Sequence, residues 1–349
     1  MSSPKLGFEE SIEANVVLKE LCSGCGACVL VCPFGCLEYS EEKPKLVKKC
    51  EVCGICARIC PRFEFSQEAL EMLAFGTAHK STGQFGVFRR LVIAQATGDA
   101  MRRVCQDGGV VSALLTYAFD NGIIDSAIVS DVSKEKPWFA VPRLISNSRD
   151  VLRCAGTRYT YSPSLLALQD AVQHKTRSLA FVGTPCQMQS LRKIEAFPLK
   201  KYSIVKFTIG LMCTECFDYD GLVKKHIEGV LGVDLNDVNK INIKGKVIVS
   251  TKSGQTKAVS LQEAKRYTRK GCFPCMDFSA ELADISVGGL GLNGWTFTIL
   301  RSKMGEEIFD CAEKAGAVRT RSVEEEKLAS ELLIKLSTRK KKRQANSCS

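Results

Sequence analysis

Cysteine is the residue type that dominates the chemistry open to this sequence, with 18 cysteines among 349 residues. Two matching segments begin at Cys22 and Cys50, and each has the spacing C-x2-C-x2-C-x3-C followed by proline. A tight loop with this spacing delivers three thiolates to one [4Fe–4S] cluster, and the Cys-Pro of the other repeat supplies the fourth. The expected ligand sets are Cys22, Cys25, Cys28 and Cys60 for one cluster and Cys50, Cys53, Cys56 and Cys32 for the second.

Glycines inside the two repeats fit the same interpretation. Gly24, Gly26 and Gly54 allow the backbone to approach inorganic sulfide, with N–H groups available to bond it. C-x2-C pairs also bind zinc, but the complete double repeat with its two Cys-Pro endings favours two clusters. Residues 1–75 therefore resemble a bacterial-type ferredoxin domain. Cys36 lies outside the repeat and is expected to be a small buried apolar residue.

A second group of cysteines lies much later in the chain, at Cys186, Cys213, Cys216, Cys272 and Cys275. The last four form two C-x2-C pairs, which alone predict a zinc site with four thiolate ligands. A third [4Fe–4S] cluster is the alternative, and spacing does not choose between them. Cys186 also sits where a predicted strand ends before a helix, which suits a nucleophilic thiolate, although no catalytic type of histidine accompanies it.

Glycine-rich segments indicate where an anionic cofactor could bind. Gly108 and Gly109 precede a predicted helix with Ser112 in its first turn, which suits a phosphate or flavin, although a plain turn gives the same pattern. The segment 155–161 is either a ligand loop or a surface loop. A G-x-G-x-x-G motif starts at Gly289, but a β-rich segment follows it. Because a dinucleotide fingerprint needs a helix there, a Rossmann site is excluded.

Hydrophobic patterns predict an α/β domain behind the ferredoxin domain. Residues 76–86, rich in Gly, Ser and Thr, are expected to be a linker, and residues 87–338 the second domain. A strand, a helix and a strand at 178–183, 187–196 and 203–210 predict a parallel crossover. Other expected elements are a strand at 241–250 that ends in a hairpin near Gly254, and helices at 68–75, 110–119 and 323–336.

The net charge of +11 has a local source in the five consecutive basic residues 339–343. Residues 339–349 are expected to be a solvated, disordered tail, able to bind an acidic partner. No aromatic residues are interleaved with this run, so a nucleic-acid role is not expected. No apolar stretch is long enough to span a membrane and no export signal is visible, so these metal-type cysteines predict a cytoplasmic protein.

Several motifs in one order resemble the beta subunits of coenzyme F420-reducing hydrogenases and their formate dehydrogenase relatives. They lie at residues 106–115, 155–161, 181–187, 210–213, 271–278 and 282–288. The resemblance implies an α+β chain in which the ferredoxin domain precedes a larger α/β, flavin-binding domain of this type. With that fused domain, the chain is most similar to the electron-input subunits of F420H2 dehydrogenases.

The same resemblance implies FAD, a third [4Fe–4S] cluster and a face that binds the 5-deazaflavin coenzyme F420. The third cluster would take Cys186, Cys213, Cys272 and Cys275; because Cys216 stands where the family has another residue type, the choice between Cys213 and Cys216 stays open. The implied FAD contacts are Gly108, Gly109, Ser112, Gly156, Thr157, Tyr159 and Thr184. Candidates for the anionic F420 tail are Arg192, Lys193, Arg266 and Lys270.

The activity implied is oxidation of reduced coenzyme F420. Hydride would pass to FAD, and single electrons would pass through three clusters to a membrane-associated complex or a soluble ferredoxin. A flavin suits that position because it exchanges electrons in pairs and singly. The alternatives are the input chain of an F420-linked sulfite reductase or glutamate synthase, and a non-catalytic carrier whose second domain binds zinc and a partner.

Overall fold

Short helices and one hairpin build the ferredoxin module in the computed structural model, which describes residues 6–78, 84–197 and 199–343. The helices are Glu9–Val17, a π-helix, and Ala27–Val31, Ile55–Ile59 and Gln67–Phe75; the hairpin joins β1 (Leu37–Ser40) and β2 (Lys43–Leu46). Gly26 and Gly54 precede the two shortest helices with φ of 77° and 73°. Each helix contains the third cysteine of its repeat, and the fourth, Cys32 or Cys60, caps its C-terminal end.

An eight-stranded mixed sheet organises the second domain, in the order β13-β3-β12-β11-β7-β6-β4-β5. Neighbours β11, β7, β6 and β4 are parallel, and the other pairs are antiparallel. The strands are β3 (Arg90–Ala96), β4 (Ser126–Val132), β5 (Ala140–Ile145), β6 (Leu179–Gly183), β7 (Val205–Leu211), β11 (Ile285–Gly288), β12 (Thr296–Leu300) and β13 (Val318–Arg321). The predicted crossover from β6 to β7 is confirmed, and so is the strand after the G-x-G-x-x-G motif.

Helices cover both faces of this sheet, as a parallel centre requires. They are Asp99–Val104, Val110–Asp120, Ser148–Arg153, Ala167–Gln173, Pro185–Ala196, Lys303–Lys314 and Lys327–Lys341. On one face, Leu30 and Ile59 of the ferredoxin module share a buried apolar cluster with Phe181 of β6 and Leu191. The module is therefore packed into the core of the second domain, where burial of these side chains contributes to stability.

A smaller sheet and its helix lie beside the large sheet. The sheet has the order β10-β9-β8, from β8 (Val238–Ile243), β9 (Lys246–Thr251) and β10 (Thr256–Ser260). It packs on the π-helix Tyr219–Val230, and the short helix Leu261–Ala264 follows. The hairpin near Gly254 is confirmed, but one strand over 241–250 is wrong. Gly245, with φ of 68°, turns the chain within that segment and makes it two strands.

The expected disordered basic tail is wrong for residues 339–343, because the final helix continues to Lys341. Lys340 is 3% exposed, and Arg343 forms an ion pair with Glu215. We call Lys327–Lys341 the C-terminal helix. The middle of the predicted linker, residues 79–83, and the end of the predicted tail, residues 344–349, lie outside the described residues. Within the described part of the chain, no helix is long and apolar enough to cross a membrane.

Candidate redox centres

The cysteines of the second repeat surround a hollow that also takes in a cysteine of the first. Cys32, Cys50, Cys53 and Cys56 are among the residues that line it, and its empty volume is about 330 Å³ including the part open to solvent. The backbone N–H of Phe8 donates to Cys50 Sγ at 3.3 Å, and the N–H of Cys36 donates to Cys32 Sγ at 3.3 Å. Such N–H···S bonds stabilise thiolate ligands. Cys36 itself is 4% exposed and donates to the Lys49 carbonyl, which agrees with a buried, non-ligand role.

The remaining cysteines of the ferredoxin module form a second group, Cys22, Cys25, Cys28 and Cys60. Burial raises the pKa of Cys60 to about 12, and the neighbouring Cys25 and Cys22 add to the shift. Burial and the same neighbours also raise the pKa of Cys28. Thiols this close together cannot all ionise without a cation, and binding to iron would supply one. The structure thus brings the cysteines together in the two crossed sets expected from the spacing.

We call a group of five second-domain cysteines the third thiol cluster: Cys186, Cys213, Cys216, Cys272 and Cys275. They line a hollow with about 300 Å³ of empty space, where β6 and β7 end. Carboxyl ends of parallel strands are a common place for cofactors. Thr184 Oγ1 and Tyr161 Oη each lie 3.3 Å from Cys186 Sγ. Among the described residues, no three His, Cys, Asp or Glu side chains are grouped closely enough to hold a single metal ion.

Cys216 is placed between two of the other thiols rather than apart from them. Its N–H donates to Cys272 Sγ at 3.4 Å. Its thiol is also within hydrogen-bonding reach of the thiols of Cys213 and Cys272. The bond from Cys216 lowers the pKa of Cys272 to about 6 and also lowers the pKa of Cys213. A cubic cluster needs four thiolates, so one of these five thiols stays outside the ligand set, and the choice between Cys213 and Cys216 stays open.

Contacts between the two domains place the third thiol cluster against the Cys22 group. Cys25 Sγ lies 3.3 Å from Ser190 Oγ, on the helix Pro185–Ala196, which also carries Cys186. Arg62, two residues after Cys60, forms a side-chain hydrogen bond with Cys275. Cys28 and Cys56, one from each ferredoxin group, share a small buried cluster. The three cysteine groups therefore form a row, with the third thiol cluster at one end and the Cys32 group at the other.

Two further ion pairs, one of them beside an aromatic ring, hold that domain contact together. Arg269 forms an ion pair with Glu42, and its guanidinium lies 4.7 Å from the centre of the Tyr161 ring. Lys270 pairs with Glu20 at 2.6 Å, so this candidate for the F420 tail already has an acidic partner. Contacts of these kinds fix the spacing between neighbouring cysteine groups, which electron transfer would require.

Residues implied in FAD binding lie mainly around the loop 104–109. Gly109, with φ of 76°, begins the helix Val110–Asp120, and Cys105 Sγ lies 3.6 Å from Ser112 Oγ. The N–H of Gly108 already donates to Thr296 Oγ1 at 3.0 Å, so it is not available to a ligand. The N–H groups in the first turn of a helix have no acceptor within the helix, and here they are the donors that an anion could use. The implied contacts Gly156 and Thr157 lie in the loop after the helix Ser148–Arg153, where Gly156 is exposed and Thr157 is half-buried.

Three polar residues around this loop, Gln106, Asn242 and Lys240, are not among the site residues expected from the sequence. Gln106 Nε2 donates to Asn242 Oδ1 at 2.7 Å and reaches the hydroxyl of Tyr159 at 3.4 Å. Lys240 Nζ donates to the Cys105 and Gln106 carbonyls. The small sheet thus closes over the loop. Thr184 lies elsewhere, at the third thiol cluster, where it caps the helix Pro185–Ala196.

Two of the cations expected to receive the F420 tail are wrong for that role. Arg192 is 8% exposed and pairs with Asp284 at 3.1 Å and with Glu195 at 2.7 Å. Lys193 is 9% exposed and donates to three backbone carbonyls of the ferredoxin module, at Cys60, Phe63 and Glu64. Helical periodicity turns both side chains inward, where Arg192 is paired within the second domain and Lys193 joins the two domains. Arg266 is exposed and stays a prediction.

Glu281 gives the folded protein a pH-dependent stability. It is 3% exposed, and burial with Asp277 nearby raises its pKa to about 7, although Lys341 pairs with it at 3.0 Å. A raised folded-state pKa means that the folded chain binds the extra proton, so stability falls as pH rises from about 4.5 to about 7. We expect the free energy of unfolding to fall by about 2 kcal/mol between about pH 5.5 and 7.5. Anaerobic urea titrations would measure this, and E281Q should remove most of it; an equal fall in E281Q would contradict the assignment.

Comparison with known protein families finds a match for the ferredoxin module and for the larger domain behind it. The profile for the C terminus of the "Coenzyme F420 hydrogenase/dehydrogenase, beta subunit" matches residues 176–326, and the profile for its N terminus matches residues 91–169. A "4Fe-4S binding domain" profile matches residues 16–38. The expected order of a ferredoxin domain and a larger α/β domain of this type is therefore confirmed.

Individual relatives give the same result. The beta subunit of the coenzyme F420 hydrogenase of Methanococcus voltae is 35% identical over 263 residues, covering 74% of this chain and 93% of that protein. The F subunit of the F(420)H(2) dehydrogenase of Methanosarcina mazei is 32% identical over 301 residues, 85% of this chain and 84% of that protein. A chain in the solved F420-reducing [NiFe] hydrogenase complex from Methanosarcina barkeri superposes with a TM-score of 0.73 at 33% identity, over 77% of this chain and 94% of that one. The chain belongs to the coenzyme F420 hydrogenase/dehydrogenase beta-subunit family and carries a ferredoxin module in front of the family domain.

Proposed function

We propose that this chain is an F420H2 dehydrogenase electron-input subunit, which takes hydride from reduced coenzyme F420 onto FAD and passes single electrons through three [4Fe–4S] clusters. The observation that carries the proposal is the row of three cysteine groups. A row in contact from end to end is an electron path, whereas a zinc site in the second domain would end it, since zinc has no redox chemistry. The similarity to the F subunit of the Methanosarcina mazei F(420)H(2) dehydrogenase, which covers 85% of this chain, supports the same role.

The proposed cofactor sites follow from the donors present. Cys186, Cys213, Cys272 and Cys275 would hold the third cluster, next to the cluster of the Cys22 group. Near the loop 104–109, the helix N-terminus at Gly109 and the hydroxyls of Ser112 and Tyr159 suit the phosphates and polar edge of FAD. Bound there, FAD would supply the exchange between paired and single electrons. The protein's part is to hold the ring, exclude water and fix its distance from the third cluster.

The proposed electron acceptor is a partner at the far end of the row, near the Cys32 group. It is either a larger membrane-associated electron-transport complex or a soluble ferredoxin, and the chain would act in the cytoplasm or at the cytoplasmic face of the membrane. The F420-reducing hydrogenase relative is itself part of a complex.

Anaerobic turnover tests the proposal directly. After reconstitution with iron, sulfide and FAD, the chain should oxidise reduced F420 with a viologen as acceptor, and omission of FAD should abolish turnover. C186S should lose about four of about twelve irons per chain and most of the activity, whereas C311S, at an exposed cysteine, should lose neither.

Other outcomes point to the alternatives. A flavin that binds and is reduced by another donor, but not by reduced F420, would assign the chain to a relative with a different substrate. About eight irons together with zinc would support a non-catalytic carrier and overturn the proposal.

A further inference from the structure

The C-terminal helix delivers a buried positive charge to the third thiol cluster. Lys340 Nζ donates to the carbonyls of Cys213 and Asp277 at 2.7 and 2.8 Å, and the side chain lines the same hollow as the five cysteines. Lys340 is 3% exposed, whereas Lys342, two residues further on, is exposed. A buried ammonium is costly unless charges or dipoles compensate it.

An anionic cofactor in the hollow would compensate that charge best. A [4Fe–4S] cluster with four thiolate ligands is a net anion, and it becomes more negative when it takes up an electron. A fixed cation beside it therefore stabilises the reduced form more than the oxidised form and raises the reduction potential. Arg62 reaches the hollow from the ferredoxin module, so cations approach it from two sides.

We propose that Lys340 is a buried counter-charge that raises the reduction potential of the third cluster and so makes this cluster a better acceptor for electrons entering the row. The inference rests on the third cluster of the proposed function, but not on F420 or FAD. Asp277, whose carboxylate acts on Lys340, offsets part of the charge. We therefore expect an effect of about tenfold in the reduction equilibrium, or ~59 mV for a one-electron couple.

The test separates the charge of Lys340 from its hydrogen bonds. K340Q keeps N–H donors but is neutral, K340R keeps the charge, and K342Q removes an exposed charge just after the same helix. Each reconstituted full-length variant is titrated anaerobically, with electron paramagnetic resonance used to follow the clusters and with iron counted per chain. We expect K340Q to lower the potential of one cluster by ~59 mV, and K340R and K342Q to stay close to the unchanged protein.

Iron content and reduction potentials together support or overturn the proposed role of Lys340. About twelve irons in every variant with unchanged potentials would overturn the inference and leave the proposed function intact. Only about eight irons in the unchanged protein would overturn both. Loss of about four irons in K340Q but not in K340R would support a requirement for the charge, whereas loss in both would show a purely structural residue and overturn the inference.

Discussion

Replacing Gly271 by alanine is expected to separate the third thiol cluster from the ferredoxin module and to slow electron transfer between them at least about tenfold. A Cβ at this position would lie 2.0 Å from the Cys22 carbonyl oxygen and 2.6 Å from its carbon. Both are backbone atoms, so no side-chain rotation relieves the clash. Gly271 also precedes Cys272, so any shift of this segment moves the thiol cluster. We expect a destabilisation of about 3 kcal/mol from the overpacking.

Rapid-mixing kinetics would measure the effect. Reduced F420 should still reduce the flavin of G271A at close to the usual rate, while reduction of the ferredoxin clusters lags. The matched control is G229A, in the helix Tyr219–Val230, where the nearest atom to a new Cβ lies at 3.6 Å. That variant should be unchanged or slightly more stable, because alanine favours helix. Reduction of the ferredoxin clusters at an unchanged rate in G271A would show that the domain contact does not set the electron path.

Exchange of Cys32 for serine is expected to destroy the cluster of the second repeat, not that of the first. Cys32 shares its hollow with Cys50, Cys53 and Cys56, although it belongs to the other repeat in sequence. C60S should have the converse effect on the Cys22 group. Each variant should fall from about twelve to about eight irons per chain, and electron paramagnetic resonance should show which cluster remains.

Cys36 provides the control for this pair of variants. It lines the same hollow as Cys32 and is buried, yet its thiol donates a hydrogen bond to the Lys49 carbonyl. C36A should therefore keep all of the iron. If C32S instead removed the signal of the first repeat's cluster, the crossed ligand sets would be wrong and each repeat would hold its own four cysteines.

Local chelate geometry explains why the ferredoxin module was predictable. In a C-x2-C-x2-C loop, three ligands lie within seven residues, so their spacing alone determines the kind of centre. The strand and helix that begin the third site, Leu179–Gly183 and Pro185–Ala196, were also predicted from local patterns. What spacing could not decide was the gathering of five cysteines around one hollow, because chain segments far apart in sequence meet there.

Basic residues were the least predictable feature, for a physical reason. A run of charges is usually solvated, and nothing in the run 339–343 distinguishes Lys340 from its neighbours. Burial of Lys340 depends on which face of the C-terminal helix meets the third thiol cluster, and that is a tertiary property. The same holds for Arg192 and Lys193, whose partners lie on other elements.

Segments from widely separated parts of the chain converge on the third thiol cluster, and this convergence sets an order of biogenesis. The ferredoxin cysteines are all translated by residue 60, so both of their clusters can be loaded while synthesis continues. The third centre needs Cys275 and is closed by Lys340, which are both translated much later. Iron and sulfide should therefore reach it last, and a ribosome stalled before the C-terminal helix should hold a chain with two clusters and an open third site.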